Sequence, residues 1–79
     1  MNPHIETLQR MRAFAQAQVD NSTAQVEYAA LRLQSPFVSA SRVNSAYYEQ
    51  ELQRATKRAA YFEKDVEALD AAITLMLCH

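Results

Sequence analysis

From Tyr48 to Met76 the apolar residues step by four and three almost without interruption: Tyr48, Leu52, Ala55, Ala59, Phe62, Val66, Leu69, Ile73 and Met76. That spacing lines up on one face of an α-helix, and sustained over this length it is the pattern of a coiled-coil or bundle seam. Nothing in the segment breaks a helix. The 79 residues contain no glycine and only two prolines, Pro3 and Pro36. Without glycine there is no phosphate-cradling loop of the Walker or Rossmann type, because those loops need backbone that approaches phosphate closely. Tight hairpin turns lose their favoured residue as well, which argues against a sheet.

A second helix is expected from Pro3 to Gln34. Asn2 can cap it, with Pro3 at the first helical position. Leu8, Ala15, Val19, Ser22, Val26, Ala30 and Leu33 recur on one face of it. Most are small, so a partner backbone can approach closely. The chain holds 14 alanines, the best helix formers. Asp20-Asn21-Ser22-Thr23 is the weak point, because these residues favour caps and turns, and Ser22 with Gln25 matches a capping box. Helix 1 is therefore expected to run through, straight or bent there, with a break near residue 21 as the alternative. Gln34-Ser35-Pro36 marks the boundary, since Pro36 disfavours helix at Ser35. Ser35, Ser39 or Ser41 can cap the next helix, which runs from about Val43 to Leu77. The expected fold is all-α: a single domain over residues 1–79, a long antiparallel helical hairpin, with a three-helix arrangement if helix 1 breaks. No internal repeat, linker or low-complexity segment is apparent. A bare hairpin of this length has a thin core and needs a second copy, a fold-back or a protein partner.

Eight basic and nine acidic residues give a net charge of −1. Nucleic-acid binders ordinarily carry a basic excess, so no direct nucleic-acid contact is expected. Residues 61–79 set Lys64 against Glu63, Asp65, Glu67 and Asp70, one positive charge minus four, or −3. Cys78 is the single cysteine and cannot form an internal disulfide. The first residues lack a signal peptide's basic start and apolar run, and no apolar stretch approaches the roughly 20 residues of a membrane span. A soluble cytoplasmic protein of a bacterial cell is expected, without cofactor or membrane association.

Candidate chemistry is sparse. His4, Glu6, Cys78 and His79 are metal-ligand types brought together at the open end of a hairpin, but no ligand spacing supports them, and no metal is expected. No nucleophile, base and orienting group can be assembled, so no enzyme is expected. Glu63, Glu67 and Asp70 share a face but read as a solvated flank or a partner-facing acidic strip. The most informative surface is a second stripe on helix 2. Tyr47, Arg54, Arg58, Tyr61 and Asp65 follow at steps of seven, four, three and four, about 100° around from the seam. Tyr and Arg combine large contact area with directed hydrogen bonds and are enriched at binding hot spots. These five are the candidate partner-binding residues. The plain alternative is that the tyrosines pad the seam and the arginines keep the face soluble.

Leu8, Arg12-Ala13-Phe14, Ser35-Pro36, Ala40, Val43 and Leu52 resemble the pattern of small all-helical phage-encoded anti-CRISPR proteins acting on type I systems. The matching positions span most of residues 1–52, and the C-terminal third departs from the pattern. The resemblance implies a non-enzymatic inhibitor that binds a CRISPR effector subunit or its recruited nuclease and blocks target recognition or cleavage. It carries no functional residue over. Pro36 ahead of Tyr47, Tyr48 and Gln50 is also similar to helical-hairpin co-chaperones of type III secretion needle subunits. A purely structural component that forms a homodimer or larger homo-oligomer through its seam is the remaining expectation.

Overall fold

The computed structural model describes residues 2–78. Three helices follow in order: α1, Pro3–Gln34; α2, Pro36–Ser39; and α3, Arg42–Leu77. α1 starts where Asn2 accepts the His4 N–H at 2.8 Å, with Pro3 in the first turn. It is continuous through Asp20-Asn21-Ser22-Thr23, so of the two expected forms the unbroken one is present. Tertiary packing explains why. Val19 and Ser22 are buried in the seam, and the Gln16 amide donates to Asp20 at 3.0 Å one turn away. Burial on this stripe outweighs the local preference for a turn.

The third helix comes from the connection instead. Ser35 is extended, at φ −69° and ψ 131°, as the residue before a proline must be. Pro36 opens one helical turn, closed by Ser39 N–H to Ser35 O at 2.9 Å. Of the serines expected as caps, Ser41 closes with its side chain. Ser35 heads α2 without a side-chain cap bond, and the Ser41 hydroxyl accepts the Asn44 N–H at 3.3 Å to start α3. Val38 turns inward and is buried, tying the connection to the helix pair. No described residue has positive φ, so the chain reverses through extended caps and needs no glycine.

α1 and α3 run antiparallel. Arg12 reaches Asp70, Gln25 reaches Arg58 and Arg32 reaches Tyr48, one number rising as the other falls. Every seam residue expected on α3 is buried or half-buried, and so is every one expected on α1. Ala29 joins them. Ala15, Ser22 and Ala29, one heptad apart and all buried, form a spine of small side chains along α1, and Ala55 is buried on α3. Small residues at a helix–helix seam let the backbones approach closely.

The result is a rod of 58 × 15 × 14 Å with a radius of gyration of 17.6 Å. A compact chain of this length would have about 12 Å. The described core is Ala15, Val19, Ala29, Val38 and Ala55 with Ser22. Among the described residues, no helix is long and apolar enough to cross a membrane.

Candidate protein-binding face

One long side of the rod carries most of the aromatic side chains. Phe14 on α1 meets Phe62 on α3 edge-on, centroids 6.3 Å apart, and Phe62 meets Tyr61 at 5.1 Å. Further along, Tyr28 meets Tyr48 edge-on at 6.3 Å, and Tyr48 meets Tyr47 at 5.1 Å. The two trios are copies of one arrangement. Phe14 and Tyr28 are fourteen residues apart, as are Tyr47 and Tyr61, and Tyr48 and Phe62. Fourteen residues are two heptads, about 21 Å along a helix, which returns a side chain to nearly the same direction. In each trio the α3 residue on the seam side is half-buried and the other two rings face solvent. Phe14 is 61% exposed, Tyr28 58%, Tyr47 56% and Tyr61 64%. Edge-to-face pairing holds each ring by one side only.

Each trio borders an open groove. The larger, about 520 Å³, is lined by Arg10, Met11, Phe14, Phe62, Asp65 and Leu69, among others. The smaller, about 300 Å³, is lined by Gln25, Tyr28, Tyr47, Tyr48 and Glu51 with Ala24 and Ala29. Between the trios the face is polar. Arg58 donates to the Gln25 side chain at 2.9 Å, bridging the helices, and Arg54 lies 3.4 Å from Glu51. At the turn end, Arg32 donates to the Tyr48 hydroxyl at 3.3 Å, with its guanidinium carbon 5.5 Å from the ring centroid. The hydrogen bond to Tyr48 and its charge interaction raise the Arg32 pKa above the ordinary arginine value.

The five residues singled out on α3 all lie along this face. Tyr47 and Tyr61 are the outer rings of the two trios, Arg54 and Arg58 fill the polar strip between them, and Asp65 is half-buried at the larger groove. The α1 half of the face, Arg10, Met11, Phe14 and Tyr28, escapes a reading of α3 alone. A signal for it was present in the common fourteen-residue offset of the aromatics on both helices.

The other flank is different in kind. Arg12 and Asp70 form an ion pair across the helices, and the hydrogen bond to Asp70 with its charge raises the Arg12 pKa. Asp70 is therefore engaged within the chain. Glu63 borders a shallow groove with Thr23, Val26 and Thr56. Among the described residues no three His, Cys, Asp or Glu side chains converge on a possible metal position. His4 and Cys78 are exposed, Glu6 is half-buried, and His79 lies outside the described residues. The Ser22 hydroxyl is fully buried without a hydrogen-bond partner. Comparison with protein families, curated proteins and solved structures finds no match.

Proposed function

We propose that the chain is a non-catalytic protein-binding protein that acts by occupying a surface of its partner with the aromatic face. The observation that carries this reading is the pair of half-exposed aromatic trios flanking a polar strip with Arg54 and Arg58 on one side of the rod. Exposed rings held by one edge offer large area at little further cost in side-chain ordering, and arginines between them supply directed hydrogen bonds. Each trio is an exposed apolar cluster rimmed by polar residues, the kind of patch that marks an interaction site.

The more specific form of the proposal is a phage-encoded inhibitor of a type I CRISPR effector or its nuclease. It draws on the resemblance carried by Leu8, Arg12-Ala13-Phe14, Ser35-Pro36, Ala40, Val43 and Leu52. Several of those positions serve the fold: Leu8 and Leu52 are half-buried in the seam, Arg12 pairs with Asp70, and Ser35-Pro36 build the connection. Phe14 belongs to the binding face. The test is a pull-down with tagged chain against a purified type I effector complex and, separately, its nuclease. Near-stoichiometric capture supports the specific form. Tyr47→Ala with Arg58→Glu is expected to abolish capture while leaving helicity nearly unchanged. Capture that survives the double change sinks the proposed face.

A further inference from the structure

We infer that in the free protein the aromatic face is covered by a second copy of this chain, the two hairpins pairing face to face about a two-fold axis. The inference rests on the reading above in one respect: the face is the binding surface, and a foreign partner exchanges for the second copy.

The chain exposes 6007 Å². A compact monomer of its 9.0 kDa mass would expose about 4,900 Å². The excess, roughly 1,100 Å², exceeds the ~800 Å² that each partner contributes to a standard stable interface. A two-helix rod thus has surface to bury, and a four-helix bundle is the architecture that buries it.

A two-fold interface must be self-complementary, each copy offering what the other receives. This face presents the same aromatic trio twice, about 21 Å apart, each beside a groove. Protruding rings and open grooves therefore alternate along it, as knobs and holes do between helices. The face mixes Arg10, Arg54 and Arg58 with Glu51 and Asp65, so two copies bring both signs to one interface. The opposite flank, around Thr23, Thr56 and Glu63 with Glu67 one turn on, offers a second copy no ring and, beyond the internally paired Arg12 and Asp70, two glutamates. Like charges across an interface disfavour it. Of the two sides, the aromatic one selects a second copy.

The test is sedimentation equilibrium of the full chain at micromolar concentration. A mass of twice 9.0 kDa is expected. Phe14→Ser with Tyr47→Ser is expected to give the monomer mass, and Glu63→Gln with Glu67→Gln to keep the dimer. Should the face variant lose its helicity, a benzophenone side chain in place of Phe14 is compared with one in place of Thr23. Cross-linked dimer is expected from position 14 and little from position 23. A helical wild-type chain that sediments as a monomer overturns the inference, and so does cross-linking from position 23 rather than 14. Either result leaves the foreign-partner reading to the pull-down, which decides it separately.

Discussion

Phe14 meets Phe62 edge-on at 6.3 Å yet keeps 61% of its surface in solvent. The contact orients the ring without hiding it. Tyr28 stands in the same relation to Tyr48, two heptads along. Rings that serve the fold by an edge and a partner by a face should separate the two roles on mutation. Phe14→Ala is expected to cost about 1 kcal/mol of stability, the worth of an edge-to-face pair. Binding, to a second copy or to a foreign partner, should weaken by tenfold or more, as a hot spot does. Isothermal titration beside urea unfolding checks both. A stability loss with unchanged affinity would return Phe14 to padding.

Ser22 gives a second expectation. Its hydroxyl is fully buried with no partner, on a spine otherwise made of Ala15 and Ala29. A buried polar group left unpaired costs about 1–3 kcal/mol, and alanine is the better helix former. Ser22→Ala should therefore raise stability by about 1 kcal/mol, seen as a higher urea midpoint with an unchanged slope. A destabilised variant would mean that the hydroxyl is bonded in solution.

The seam was legible in the sequence because its period was long and regular. Every apolar residue from Tyr48 to Met76 on the four-and-three pattern is turned inward. The continuity of α1 was the favoured reading, but Asp20–Thr23 left a break open, because local propensity and the apolar stripe disagree there. Burial of Val19 and Ser22 decides it, and burial depends on α3. The candidate face divides the same way. Tyr47, Arg54, Arg58, Tyr61 and Asp65 form a stripe on one helix and could be read from spacing. Phe14 and Tyr28 join them only once the antiparallel register sets residue 14 beside 62 and 28 beside 48. The one-turn α2 was half legible: Pro36 marked the boundary, but three candidate serines did not say which hydroxyl would cap, and it is that of Ser41.

Those serines can be told apart. Ser41 accepts the Asn44 N–H, whereas the Ser35 side chain makes no cap bond. Ser41→Ala should cost about 1 kcal/mol, the usual worth of an N-cap, and Ser35→Ala a few tenths at most. Equal losses in thermal unfolding would contradict the cap geometry.

Close approach of the helices gives a fourth expectation. Ala55 is buried on the seam, among the small residues that permit the approach. Ala55→Leu adds three carbons where the packing leaves no room, and overpacking costs about 1–3 kcal/mol. A leucine here would improve an ordinary heptad seam, so the sign of the effect separates a close-packed rod from a wider coiled coil. Urea unfolding reads it directly.

The central claim is that the aromatic face is a covered surface in the working protein. Hydroxyl-radical footprinting across a dilution series tests it, because Tyr28, Tyr47 and Tyr61 lie on that face while Phe37, 88% exposed, lies on the turn. Mass action sets the expectation: on concentrating the protein, labelling of the three tyrosines should fall by about threefold or more as the dimer fills, with Phe37 unchanged as the internal reference. Labelling of all four rings that stays constant at every concentration, and on addition of a captured partner, would contradict the account.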